Sequence, residues 1–136
     1  MISGRFSIST TSHMEFVDIS AQLQRAVDEN GIQDGVLVTY NPHTTAGITI
    51  NEGADPAVQS DLIGIFRRII PKDYPYKHRE GNSPSHMMAT LTGSSVTVIV
   101  EDGKLKLGTW QRIFFCEYDG PRNRKVWWKI LTDKRK

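Results

Sequence analysis

The stretch Ser95-Val-Thr-Val-Ile-Val-Glu-Asp-Gly-Lys-Leu-Lys-Leu107 decides the fold class. Its first seven residues are rich in β-branched side chains, and Asp102-Gly103 is the dipeptide that a tight two-residue hairpin favours, because both central residues of that turn need a positive φ. An antiparallel hairpin is therefore expected here, with Lys104 to Leu107 as the returning strand. Downstream, Trp110 to Tyr118 and Lys125 to Leu131 have the same composition and give two further strands, separated by the turn-forming Gly120-Pro121.

Upstream the pattern alternates between strands and helices. Ile2, Phe6 and Ile8 share one parity, as in a half-buried first strand ending near Ser9. Asp18 or Ser20 can cap a first helix whose stripe is Ile19, Leu23, Ala26 and Val27, with Gly31 as its left-handed stop. Gly35 to Tyr40 reads as a strand, Asn41 to Thr45 as a turn, and Ala46 to Asn51 as the hairpin partner of that strand. Asp55-Pro56 is the usual opening of a helix, carried on by Val58, Leu62, Ile65, Phe66 and Ile69 and stopped by Pro71. Residues 72–82 form a polar loop, and Ser83-Pro84 opens a third helix through Met87, Met88 and Leu91 to Gly93. Strands that arrive as neighbours, with helices grouped between them, predict an α+β fold: an antiparallel or mixed β-sheet sandwich with three helices, in a single domain spanning residues 1–136. So many strands in so short a chain leave edges and faces to cover, which points to symmetric association.

Composition narrows the function classes. Hydrophobic residues at 38% and charged residues at 24% describe an ordinary globular protein, and no apolar run approaches the roughly 18 residues that would span a bilayer. The first nine residues lack the basic and apolar blocks of a signal peptide, and Cys116 is the only cysteine, so a cytoplasmic location without disulfides is expected. The net charge is +2, with seven of the seventeen Lys and Arg residues between Arg122 and Lys136. Nucleic acid is nevertheless not expected as a partner: Lys125-Val-Trp-Trp-Lys-Ile-Leu131 is accounted for by a strand with its lysines in water, which leaves Lys134, Arg135 and Lys136 as the residues a nucleic-acid reading rests on.

Several polar groups stand where chemistry is plausible. His43, His78 and His86 lie in turns or at a helix start, away from apolar helix faces, and neutral imidazole binds zinc and similar ions directly. Asn51, Glu52 and Asp55 cluster at a strand end; Glu52 is the better candidate for acid or base work, since Asp55 has a competing role as a helix cap. Asn82 and Ser83 precede a helix whose first amides can receive phosphate. Arg122 and Arg124 sit on a constrained turn and offer forked donors to a phosphate or carboxylate. No Walker loop, dinucleotide fingerprint or serine-hydrolase elbow is present.

Four separated motifs resemble the YjbQ family, also called the secondary thiamine-phosphate synthase family. They are His43-Thr-Thr-Ala-Gly-Ile-Thr-Ile-Asn-Glu52 with Asp55-Pro56; His78 with Asn82-Ser-Pro-Ser-His86; Leu105-Lys-Leu-Gly-Thr-Trp-Gln111; and Glu117-Tyr-Asp-Gly-Pro-Arg-Asn-Arg124. The resemblance implies a homotrimer, a divalent metal (zinc or similar) at His43, His78 and His86, and a weak activity that joins a pyrimidine diphosphate to a thiazole phosphate. For that transfer Glu52 and Asp55 would be catalytic, with magnesium accompanying the diphosphate. Thr44, Thr45, Asn51, Asn82, Ser83, Arg122 and Arg124 would bind a small phosphorylated metabolite. A non-catalytic protein that binds metal or a phosphometabolite is the alternative. One geometric constraint accompanies the set. If residues 43–52 run as a regular strand, His43 and Glu52 stand roughly 25 to 30 Å apart. Either a bulge shortens that path or the site joins unlike ends of two subunits.

Overall fold

The structure, a computed structural model, describes residues 2–133; Lys134, Arg135 and Lys136, on which the nucleic-acid reading rests, lie outside them. The chain order is β1 (Ile2–Ser9), β2 (Glu15–Asp18), α1 (Ser20–Glu29), β3 (Asp34–Tyr40), β4 (Ala46–Glu52), α2 (Pro56–Ile69), α3 (Ser83–Thr92), β5 (Ser95–Glu101), β6 (Lys104–Leu105), β7 (Gln111–Glu117) and β8 (Asn123–Leu131). Two antiparallel sheets form, one of five strands in the order β1-β8-β3-β5-β6 and one of three in the order β2-β7-β4. The α+β class and the three helices are as expected. No helix of the described residues is long and apolar enough to cross a membrane.

The β5–β6 hairpin closes where the sequence placed it: Asp102 has φ 53° and Gly103 φ 75°, the left-handed pair that the turn requires. Other connections differ from expectation. β3 and β4 are not hairpin partners: β3 pairs with β5 and β8, whereas β4 pairs with β7 in the other sheet. The reason lies in Asn41, whose side-chain amide donates to the carbonyls of His43 (3.1 Å) and Ala46 (2.7 Å) while its Oδ1 accepts the His43 N–H (3.0 Å). This Asx turn carries the chain across the sandwich. β2 was not legible, being four residues long with no alternation, and β6 is shorter than the expected strand to Leu107. Ile19 occupies the cap position of α1; Asp18 Oδ1 accepts the Ser20 N–H at 2.9 Å, and Ser20 Oγ accepts the Ile113 N–H at 2.8 Å.

The two sheets face each other across a core of Ile8, Leu37, Ile48, Val98, Val100, Ile113, Phe115, Val126 and Ile130, with Leu23 and Val27 of α1 and the capping Ile19 closing one side. The other face of the three-stranded sheet carries Phe114, Cys116 and Tyr118, which pack with Ile70 and Met88 under α2 and α3. Strand β7 is thus covered on both faces, which explains its unbroken buried run from Ile113 to Glu117. Burial raises the Cys116 thiol pKa to about 12, so it is packing material and not a nucleophile. By contrast, the outer face of the five-stranded sheet is bare: Tyr40, Ile99, Trp127 and Leu131 are exposed, with Tyr40 stacked on Trp127 at 5.9 Å.

An ion pair crosses between the sheets. Glu117 at the end of β7 and Arg124 at the start of β8 are 0% and 4% exposed and hydrogen-bond through Arg124 Nε at 2.8 Å and through Nη2. Thr10 Oγ1 donates to the same carboxylate at 2.7 Å, the Asp119 N–H donates at 3.0 Å, and Arg124 Nη2 reaches Thr45 Oγ1 at 2.9 Å. Burial pushes the Glu117 carboxyl pKa up, but the bonds from Arg124, Thr10 and Asp119 together outweigh it and hold it below its ordinary value of 4.5. Because the folded pKa is depressed, the stabilisation is present above pH 4.5 and is lost as pH falls through the folded value.

We expect Glu117→Gln, which leaves a buried guanidinium without its counter-charge, to lower unfolding free energy by about 3–5 kcal/mol in urea titrations. The double replacement Glu117→Leu/Arg124→Met should cost less than either single change. Below pH 4.5, stability should fall less steeply with acid in Glu117→Gln than in the parent; equal slopes would remove Glu117 from the acid response.

Candidate functional site

The polar residues singled out in the sequence fall at two ends of the three-stranded sheet. Strand β4 pairs one-to-one with β7 from Ala46 opposite Glu117 to Glu52 opposite Gln111, with no bulge. Its six residue steps, at about 3.4 Å each, separate the two ends by roughly 20 Å. The shortening bulge is absent, so the histidine end and the carboxylate end stay apart within one chain.

At the carboxylate end, Asp55 Oδ1 accepts the Ala57 N–H at 2.9 Å as the cap of α2, with Pro56 at the first helical position. Its capping role is thereby filled. Asn51 Oδ1 accepts the Glu52 N–H at 2.7 Å, and the Glu52 carbonyl accepts from Gln59 Nε2 at 2.6 Å. The Glu52 carboxylate carries no hydrogen bond or ion pair among the described residues.

The other end is richer. The turn after β7 is pinned against the start of α3: Asn82 Nδ2 donates to Asp119 Oδ2 at 2.8 Å, and Ser85 Oγ donates to the Tyr118 carbonyl at 2.6 Å. Arg122 reaches the same Asp119 oxygen through Nη2 at 2.9 Å and the Asp119 carbonyl through Nε at 2.8 Å. Gly120 sits so close to the Ser12 carbonyl and the Glu117 side chain that a Cβ would collide with both, so glycine is required there. The Asn82 Oδ1 atom is buried without a partner. One turn into α3, the His86 ring lies 5.1 Å from that of His78, nearly perpendicular at 84°, and Glu80 Oε1 is 3.8 Å from His78 Nε2. Ser83 and His86 border a shallow apolar hollow of about 520 Å³ with Tyr74, Tyr76, Met87 and Leu91.

Past Glu80, a cleft of about 600 Å³ opens between the end of α2 and the start of α3, lined by Arg67, Lys72, Tyr76, Glu80, Asn82 and Asp119 among others, whereas His86 borders the apolar hollow instead. Arg67 and Lys72 make no ion pair among the described residues. Sequence reading missed both: Arg67, in the last turn of α2, is already explained by the helix dipole, and Lys72 is one of several cations of the polar loop after it. It also gave no role to Glu117, although a lone carboxylate inside the apolar run from Ile113 to Tyr118 is the signature of a buried partner.

The three histidines do not converge within one chain: among the described residues, no group of three or more His, Cys, Asp or Glu side chains could hold a metal ion. His78 and His86 are brought together. His43 instead stands edge-on to Phe115 at 6.4 Å, with its Nε2 accepting the Lys125 N–H at 2.8 Å. Thr45 is buried against Arg124, and Thr44 is exposed. Arg124, expected at a phosphate, directs its guanidinium to Glu117 and Thr45, while Arg122 is half exposed beside Asp119.

The comparisons with known proteins agree over nearly the whole chain. Residues 4–133 match the family model described as UPF0047 protein YjbQ-like. The UPF0047 protein MJ1081 of Methanocaldococcus jannaschii is 49% identical over 130 residues, covering 96% of this chain and 94% of that one. The UPF0047 protein YugU of Bacillus subtilis is 46% identical over 125 residues, covering 91% and 95%. Among solved structures, a YjbQ/UPF0047 family protein of Clostridium acetobutylicum superposes with a TM-score of 0.91 at 53% identity, covering 93% of this chain and 98% of that one. The hypothetical protein APE1520 of Aeropyrum pernix gives 0.92 at 36% identity, covering 98% and 100%. Motif order, fold and identity over the full domain agree, and the chain belongs to the YjbQ/UPF0047 family.

Proposed function

We propose that this protein is a small-molecule enzyme acting on a phosphorylated metabolite at the His78–His86 end of the three-stranded sheet, in a cytoplasmic homotrimer. One observation carries this reading: Glu80, 3.8 Å from His78, links the paired imidazoles to a cleft lined by Asn82 and Asp119, whose Arg67 and Lys72 lack counter-ions among the described residues. Two neighbouring imidazoles suit zinc or a similar divalent ion, with further ligands from water or a second chain. Unpaired cations beside such an ion suit a phosphate or diphosphate, and charge neutralisation of a leaving diphosphate is the main demand of a thiamine-phosphate-synthase-type transfer. Magnesium would accompany the diphosphate substrate. Glu52, with no structural partner for its carboxylate, is the acid or base such a site would recruit.

Self-association is the natural means of bringing Glu52 to the histidines. Exposed Tyr40, Ile99, Trp127 and Leu131 on one sheet, and exposed Ile65, Ile69, Met87 and Leu91 on the helices, are apolar surface that a second copy would cover. A closed ring repeats one heterologous contact and joins unlike ends of neighbours.

The separation of Glu52 and Asp55 from the histidines within one chain favours a second reading, a non-catalytic protein that binds a metal or a phosphometabolite. Turnover separates the two. With a pyrimidine diphosphate and a thiazole phosphate as substrates, we expect slow product formation and bound divalent metal by mass spectrometry, both lost in His86→Ala. Metal without turnover would select the binding reading; neither would sink both.

Light scattering should give a mass of three chains for the parent, and a smaller species for Trp127→Glu. Mixing His86→Ala chains with Glu52→Ala chains should restore part of the activity, since some contacts pair an intact histidine end with an intact carboxylate. Absence of recovery in verified mixed trimers would place both residues in separate sites.

A further inference from the structure

His43 is set apart from the other two histidines by what reaches its ring. Strand β3 ends at Tyr40, opposite Trp127 of β8, so the Lys125 N–H two residues away has no partner on that strand. The chain turns at Asn41, and the side chain of His43 supplies the missing acceptor: Nε2 takes the Lys125 N–H at 2.8 Å. A backbone N–H can only donate, so the nitrogen that receives it carries a lone pair and the ring proton sits on Nδ1.

The consequence for chemistry is restrictive. Coordination of a metal through Nδ1 would move the proton to Nε2, where it would oppose the Lys125 N–H, two donors facing each other at hydrogen-bond distance. Coordination through Nε2 would displace the bond that ends the sheet. Work as a general base at Nδ1 would need a lone pair on the nitrogen that bears the proton. What remains is donation. Among the described residues Nδ1 has no hydrogen-bond partner, and it is not one of the buried polar atoms left unpaired, so it reaches solvent.

We infer that His43 is a fixed neutral hydrogen-bond donor for an anionic oxygen of a bound ligand, and neither a metal ligand nor a general base. Burial lowers the imidazole pKa, Arg124 lowers it further and Arg122 adds to this, while the Glu117 carboxylate opposes them and the Lys125 N–H bond also raises it; the balance lowers the pKa and so favours the neutral ring. Arg124 and Arg122 are each paired with a carboxylate, Glu117 and Asp119, so what the position offers a ligand is the outward N–H itself, a donor whose hydrogen bond is strongest to an oxygen that carries negative charge. The inference goes beyond the metal proposed at His78 and His86 and holds whether or not those residues bind one.

Long-range proton–nitrogen correlation spectra of ¹⁵N-labelled protein distinguish the two neutral tautomers and the imidazolium. The expected result is the Nδ1–H tautomer for His43, with protonation setting in at lower pH than for an ordinary imidazole and no change at its nitrogens on adding zinc. Adding inorganic phosphate as the probe should move the His43 Nδ1 signal saturably. An Nε2–H tautomer, protonation at higher pH than an ordinary imidazole, or a zinc-induced shift at His43 would overturn the assignment of the proton. Unchanged Nδ1 under saturating phosphate would overturn the assignment to an oxyanion. Replacement adds a check that a purely structural role does not predict: His43→Ala should weaken phosphate binding roughly tenfold, the loss of one hydrogen bond to a charged group, while His43→Gln, which keeps an acceptor and a donor, restores most of it. Equal weakening in both variants would count against donation by the ring.

Discussion

The Glu117–Arg124 pair is the constraint on which the rest of the molecule depends. Two sheets pack face to face on apolar side chains, but apolar packing is indifferent to small sliding, whereas a buried carboxylate and guanidinium tolerate only one relative placement of the strands that carry them. Glu117 belongs to β7 in one sheet and Arg124 to β8 in the other, with Thr10 following β1 and Thr45 preceding β4. Four chain segments from both sheets therefore meet at one charged centre. Desolvating the pair is costly, and its worth lies in fixing register more than in net stability.

That fixed register determines what can happen above it. Between Glu117 and Arg124 lie Tyr118, whose carbonyl receives Ser85 Oγ, and Asp119, which holds Asn82 and Arg122. The start of α3 is thus tied to the same charged centre, and the His78–His86 pair is set by α3 and the loop before it. His43 is held from the other side, through the backbone of Lys125, the residue after Arg124. Candidate ligand groups from three parts of the chain share one support, which is the preorganisation a binding site requires. The carboxylate end gains nothing from this support. Glu52 sits at the far end of an unbroken strand, so its participation depends on contacts beyond a single chain.

The elements were legible where local chemistry was decisive. Asp102-Gly103 fixed a hairpin because few other residues accept two positive φ angles, and Asp55-Pro56 fixed a helix start because the cap and the missing N–H are both local matters. The candidate residues His78, His86, Asn82 and Arg122 were legible as polar groups in turns, whereas the family resemblance grouped His78 and His86 with His43, which the structure keeps apart from them. The pairing of β3 and β4 was misread, since two neighbouring β-rich segments joined by a five-residue turn look alike whether they pair or part. Only the side chain of Asn41, bonded to carbonyls two and five residues on, decides between these outcomes.

By itself, then, the sequence determined the α+β class, the order of its elements apart from β2 and the polar groups available for chemistry, because propensity, capping and periodicity act within a few residues. Tertiary structure decided which of those groups meet. It separated His43 from His78 and His86, committed Arg124 to Glu117 inside the core, and left Arg67 and Lys72 without an ion pair among the described residues, lining a cleft. These outcomes depend on contacts between residues up to 82 positions apart, as for His43 and Lys125, and no local pattern encodes which distant backbone group will take a given lone pair.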